Sequence, residues 1–98
     1  MIVAVARAEF HLPAAQSLKD KRRVMRSLVD RSHKGLRVSV AETACHDLRQ
    51  RMELGMASVH QRRSEAERAL ERLHRLCEQH PEAELIAWQA DYIEDIDE

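Results

Sequence analysis

Every even-numbered residue from Ile2 to Leu12 is apolar: Ile2, Ala4, Ala6, Ala8, Phe10 and Leu12. Between them stand Val3, Val5, Arg7, Glu9 and His11. Successive side chains of a strand point to opposite faces, so Met1–Leu12 is predicted as a strand with one buried face. Such a strand needs a sheet around it and a second layer over its apolar side. Pro13 ends the ladder because it has no N–H to donate.

The period then changes. Ser17 is a helix N-cap, and Asp20 three residues on makes a short capping box. Leu18, Val24, Met25, Leu28 and Val29 form the expected apolar stripe. Lys19, Arg22, Arg23, Arg26 and Asp30 fall opposite it, with Lys21 at the edge of that face. Lys34-Gly35 closes the helix through a left-handed glycine cap. Leu36–Ala44 reads as a second strand, with Leu36, Val38 and Val40 on one face. Cys45–Arg51 reads as a polar loop. Met52–Gln61 reads as a third strand. Its facing stays open, because Leu54 and Met56 compete with Ala57 and Val59, and Gly55 is a candidate bulge.

Ser64 and Glu67 form a second capping box. Ala66, Leu70, Leu73 and Cys77, with Leu76, make the stripe behind it, and Glu71–Arg75 is an i, i+4 pair in the favourable order. Pro81 stops this helix near His80. Ala83–Ile93 is the last strand. Either Leu85 and Ala87 or the set Ile86, Trp88, Ala90 and Tyr92 faces outward. The acidic tail Glu94–Glu98 is expected to fray.

The order β-α-β-β-α-β over residues 1–98 predicts one α+β domain, the ferredoxin-like split βαβ sandwich. Right-handed crossovers place both helices on one face of a four-stranded antiparallel sheet. The other face then has no layer of its own.

Charge narrows the function classes. The chain holds 16 Lys+Arg and 17 Asp+Glu. Residues 1–51 carry eleven of those cations and five of the acids, and the remainder is acidic. Such asymmetry suits a basic binding surface, and equally two halves that neutralise each other. No apolar run is long enough for a membrane span, and no basic segment precedes the apolar start, so neither membrane insertion nor a signal peptide is expected. Cys45 and Cys77 stand far apart, which suits a reduced, cytoplasmic chain. With Gly35 and Gly55 as the only glycines, a phosphate-cradling glycine loop is excluded.

Three segments carry a resemblance. They are Ala15–Leu28 (AQSLKDKRRVMRSL), Val38–Glu42 (VSVAE), and Asp47–Arg51 (DLRQR) followed by Leu54–Ala57 (LGMA). Together they resemble the YlxP-like family of small bacterial proteins, a domain of unknown function, over nearly the whole chain. The family usually has Trp between the Leu and Gln of the third segment; Arg49 stands there in this sequence. The resemblance implies a ferredoxin-like fold, a gene setting among translation and ribosome-maturation factors, and a link to ribosome biogenesis. It implies no established activity and no catalytic residues.

The basic helix face, Lys19, Lys21, Arg22, Arg23 and Arg26, is therefore the candidate contact for ribosomal RNA or a ribosomal protein, since phosphate backbones attract such stripes. The alternative use for these cations is a solvated face. The open sheet face, with Val3 and Val5 outward, is the candidate homodimer interface. Base stacking there is not expected, because Phe10 lies on the inward face. Glu42, Cys45, His46, Asp47, Gln50 and Arg51 include nucleophile, base and acid types, but adjacent Cys and His in a short loop seldom meet as a dyad. His11, His33, His46, His60, His74 and His80 lack metal-ligand spacing, and Cys77 reads as a core residue. No enzymatic activity, metal, cofactor or small-molecule substrate is expected.

Overall fold

The computed structural model describes residues 1–94. Of the tail Glu94–Glu98, Glu94 does not fray but ends the last strand, paired with Ile2, and residues 95–98 lie outside the described residues. The elements run β1 (Ile2–His11), α1 (Leu18–His33), β2 (Ser39–Ala44), β3 (Arg51–His60), α2 (Arg63–Glu78) and β4 (Glu84–Glu94). The sheet order is β2-β3-β1-β4, with each neighbouring pair antiparallel. This is the ferredoxin-like arrangement, an α+β sandwich of one sheet and two helices. No helix among the described residues is long and apolar enough to cross a membrane.

The even face of β1 is buried, as the alternation requires: Ala4, Ala6, Ala8 and Phe10, continuing into Leu12, join the core. Three alanines in the central strand leave room for a helix to sit close. Ala66, Leu70, Leu73 and Cys77 of α2 belong to the same buried cluster, and Ala69 is buried beside them. Burying a Leu side chain is worth about 1.5–3 kcal/mol, so this stripe alone fixes α2 on the sheet.

On β3, Met52, Leu54, Met56 and Ser58 face inward. Of two apolar sets, the one with the larger side chains takes the core. Gly55 marks no bulge: β1 and β3 pair without a break from Ile2↔His60 to His11↔Arg51. The irregularity lies on β2, between Glu42 and Ala44, and leaves Thr43 as the extra residue. A Cβ on Gly55 would stand 2.7 Å from Thr43 Cγ2, so the glycine makes room for the bulged threonine. The ladder of β2 starts at Ser39 rather than Leu36. The chain leaves α1 through Gly35 at φ +79, and His33 Nε2 lies 3.0 Å from Val38 O, holding that carbonyl beside the helix end.

β4 also carries a bulge. Phe10 pairs with Leu85 and Glu9 with Ala87, so Ile86 is skipped. The bulge switches the face, and neither expected set survives whole. Leu85, Trp88 and Tyr92 pack on the helix side, while Ala87 shares the open face with Glu9.

The N-terminus of α1 caps as expected. Ser17 Oγ accepts from Asp20 N at 3.1 Å, and Asp20 Oδ2 accepts from Gln16 N at 2.9 Å. That of α2 does not. The helix begins at Arg63, its N-cap Arg62 makes no side-chain bond, and Ser64 sits within the first turn. Arg63 holds this turn instead. It reaches Glu94 at 2.8 Å and Glu67 at 3.4 Å, and lies 3.8 Å from the centre of the Tyr92 ring. Glu71 and Arg75 form no ion pair; the i, i+4 pairs on α2 are Arg63–Glu67 and His74–Glu78.

Candidate nucleic-acid interface

The stripe of α1 is rotated from its expected position. Lys21, Val24, Leu28 and Ser32 are buried, whereas Leu18 is exposed. Lys21 therefore leaves the basic face, and this corrects its assignment there. It is 2% exposed. Its Nζ lies 2.8 Å from Glu42 Oε2 and donates to the carbonyls of Cys45 (2.7 Å), His46 (3.2 Å) and Arg51 (3.4 Å). The Glu42 contact is one of charge: that oxygen is buried and has no aligned hydrogen bond. A lysine with an apolar stem and a three-donor head can cross a core in this way when acceptors wait at the far end.

What Lys21 grips is the loop at 45–50 together with Arg51, the first residue of β3. Cys45 is at φ 65, in the left-handed region, and its carbonyl also accepts from Leu48 N at 3.0 Å. Gln50 Nε2 donates to the carbonyls of Pro13 (3.3 Å) and Ala15 (3.2 Å). Arg49 donates its guanidinium N–H to Gln16 O (3.5 Å), beside the start of α1. The His46 ring contacts Glu42 O at 3.1 Å. The SLKDKRRV and VSVAE segments thus meet at Lys21 and Glu42, and the polar loop is closed by hydrogen bonds.

The remaining cations of α1 stay on its solvent side. Arg23 is forked onto Glu82, at 3.1 and 2.7 Å. Each partner favours the other's charged form: the hydrogen bond from Arg23 holds the Glu82 carboxyl below its ordinary range, and Glu82 raises Arg23. Lys19, Arg22 and Arg26 are exposed and form no ion pair among the described residues. A second stripe lies outside the expected basic face. Arg68, Arg72 and Arg75 stand at i, i+4 and i+7 on α2, all exposed and likewise without an ion pair. Their spacing is legible in the sequence, but Glu65, Glu67, Glu71 and Glu78 balance the four arginines of α2 in formal charge.

The open sheet face divides into two halves. Val3 and Val5 point outward, half-buried, with Ala57, Val59 and Ile93 across from them. Val59 is 64% exposed and Ile93 49%. The other half is a charge lattice: Arg7 reaches Glu53 (3.5 Å) and Glu9 (3.9 Å), Arg51 reaches Glu9 (3.6 Å), and Thr43 donates to Glu53 (2.6 Å). No aromatic side chain faces outward here among the described residues. Trp88 stacks on His74 at 4.5 Å, and Tyr92 lies under Arg63, both on the helix side.

Each histidine has its own partner. His11 faces Glu84, His33 Val38 O, His46 Glu42 O, His60 Ser58, His74 Glu78, and His80 Ser27. Among the described residues no three His, Cys, Asp or Glu side chains group as metal ligands would. Cys77 is buried, and burial beside Glu78 pushes its thiol up to about 12, which keeps it protonated and inert.

A four-stranded sheet with an unpartnered face and a helix layer studded with cations defines the class: a small ferredoxin-like α+β protein. The chain belongs to the family described as "Protein of unknown function (DUF503)", which matches residues 3–90. It is similar to "Uncharacterized protein YlxP" of Bacillus subtilis (strain 168), 31% identical over 83 residues, which is 85% of this chain and 90% of that protein. Among solved structures it resembles "De novo designed protein Foldit4", with a TM-score of 0.58, 15% identity, and coverage of 97% of this chain and 99% of that one. At that identity the likeness speaks for the fold alone.

Proposed function

We propose that the chain is a non-enzymatic accessory factor in ribosome maturation or translation, and that it contacts RNA phosphates through the solvent side of α1. One observation carries the reading. Lys19, Arg22 and Arg26 share a face from which Lys21 is withdrawn and on which Arg23 is neutralised, yet they have no carboxylate of their own among the described residues. Unneutralised ammonium and guanidinium groups at helical spacing suit a phosphate backbone. The link to ribosomes rests on the family resemblance.

Replacing Lys19, Arg22 and Arg26 together by Ala should weaken co-sedimentation with ribosomal subunits. The salt slope should flatten by about 0.7–0.9 for each phosphate that is no longer neutralised. Arg23→Ala alone should change the slope less, because Glu82 already neutralises it. An unchanged slope in the triple variant overturns the reading. Binding that survives ribonuclease points to a ribosomal protein instead.

A second reading, a homodimer through Val3 and Val5, is favoured by the exposure of Val59 and Ile93 on the same face. There Val5→Glu should give a monomer, and a monomeric unmodified protein at micromolar concentration in sedimentation equilibrium rules it out.

A further inference from the structure

We infer that the phosphate-binding surface spans both helices, with Arg68, Arg72 and Arg75 of α2 as its second half, and that it fits the backbone of duplex RNA rather than a single strand. The inference rests on the proposed RNA contact and deepens it.

One side chain of the α2 stripe bonds the end of α1. Arg72 donates to Lys34 O at 3.0 Å, at the C-terminal end of α1, and its guanidinium lies 3.1 Å from the position a Cβ on Gly35 would take. The α2 stripe is thereby brought against the end of α1. Lys19 to Arg26 and Arg68 to Arg75 each span seven residues, or about 10 Å at 1.5 Å per residue. Arg72 stands level with Lys34, eight residues or about 12 Å beyond Arg26, and His80 stands level with Ser27, so the antiparallel helices carry the two short rows of cations end to end along one layer. None of these six side chains forms an ion pair among the described residues. Of the six carboxylates on the two helices, Glu67 faces Arg63, Glu78 faces His74 and Asp20 caps α1; Asp30, Glu65 and Glu71 remain, and three carboxylates against six cations leave the surface positive.

The same layer says which nucleic acid fits. Single strands are held by aromatic platforms as well as charge. The described aromatics do not supply one: Phe10 is buried, Trp88 is stacked on His74, and Tyr92 is covered by Arg63. Duplex RNA is recognised by shape and by backbone contacts, for which two rows of cations without stacking groups suffice.

The test uses the full chain, an RNA duplex of about 16–20 base pairs and one of its strands alone, each titrated across a salt series. The variant Arg68→Ala/Arg75→Ala leaves Arg72 and its bond to Lys34 in place. It should bind the duplex roughly tenfold or more weakly, with a salt slope flatter by about 1.5–2, as two fewer neutralised phosphates require. Glu71→Gln should shift binding the other way, with tighter duplex binding and a steeper slope. If the α2 variant matches the parent while the α1 triple variant is weakened, the inference fails and the α1 reading stands. If no RNA binds, or neither variant differs from the parent, the α1 reading itself fails. Equal or tighter binding of the single strand overturns the assignment to duplex.

Discussion

The two helices have the same length, sixteen residues each, and lie on the same sheet, but they are held down by different forces. α2 rests on an apolar stripe, Ala66, Ala69, Leu70, Leu73 and Cys77, above the alanines of β1. α1 buries only Val24 and Leu28 as apolar residues, and between them and the loop it places a lysine. Beside the partly buried Met25, its remaining anchors are polar: Lys21 to Glu42 and three carbonyls, Arg23 to Glu82, and Ser27 to His80. Apolar contact tolerates sliding, whereas a three-donor ammonium with fixed acceptors sets one position. The helix that presents Lys19, Arg22 and Arg26 is thus the one whose placement is specified by directional bonds. Lys21, the second lysine of the SLKDKRRV segment, and Glu42 of VSVAE act through structure, by seating that helix on the loop at 45–50 and on Arg51.

The largest expected effect tests this difference directly. Lys21→Met keeps most of the stem but leaves the half-buried Glu42 carboxylate unpaired and the loop carbonyls without their donor. Removing one partner of a buried pair costs about 3–5 kcal/mol. A urea midpoint should register that cost, and Lys21→Met/Glu42→Leu should recover part of it. A small change in the single variant would break the comparison, since α1 would then need no ionic anchor. Next comes the apolar side. Leu73 is 1% exposed, and Leu73→Ala should cost about 2–5 kcal/mol through reduced burial and the cavity left behind. Its effect on RNA binding should be smaller than its effect on stability, because α1 keeps its own anchors.

His80 sharpens the comparison through pH. The backbone N–H of Glu82 donates to its Nδ1 at 3.1 Å, so Nε2 carries the proton toward Ser27 Oγ at 3.1 Å. This arrangement needs the neutral ring, and it makes Nε2 a donor, so the pair is no Ser–His nucleophile. Burial, and then the nearby charge of Arg31, lower the His80 pKa. The folded state therefore binds this proton less readily than the unfolded chain. Stability from His80 is present above about pH 6.5, falls as the pH drops below it, and levels off below the folded value. The midpoint of the parent should fall more steeply between about pH 7 and 5 than that of His80→Asn. Parallel profiles would remove His80 from the anchors of α1.

What is legible in the sequence follows from chemistry that has one solution. The alternation Ile2–Leu12 could only be a one-faced strand, and the stripe Ala66–Cys77 could only face a core. The failures occur where a side chain or a register has two. Lys21 has an apolar stem and a charged head, and polarity alone sends it to solvent; its partner Glu42 is twenty-one residues away and invisible to helical spacing. The face of β4 depends on a bulge at Ile86, which the register with β1 decides. Of the candidate interface, the α1 cations are legible, and the α2 arginines are hidden by their own glutamates.

The smallest expected effect separates the two N-termini. Both read as capping boxes, Ser17 with Asp20 and Ser64 with Glu67. Only Ser17 makes the bond, accepting from Asp20 N at 3.1 Å. Ser17→Ala should therefore cost about 1 kcal/mol, the usual value of a hydroxyl cap. Ser64 lies one residue inside α2, whose first turn is held by Arg63 through Glu67, Glu94 and Tyr92. Alanine also has the higher helix propensity, so Ser64→Ala should be neutral or stabilising by a few tenths of a kcal/mol. Arg63→Ala should cost more than Ser64→Ala, since it frees Glu94 and uncovers the Tyr92 ring together. Equal costs for Ser17→Ala and Ser64→Ala in urea midpoints would mean that α2 caps through its hydroxyl after all. That result would also remove the reason for holding Arg63 apart from the cations of the proposed RNA surface, because it would no longer be committed to the first turn of its own helix.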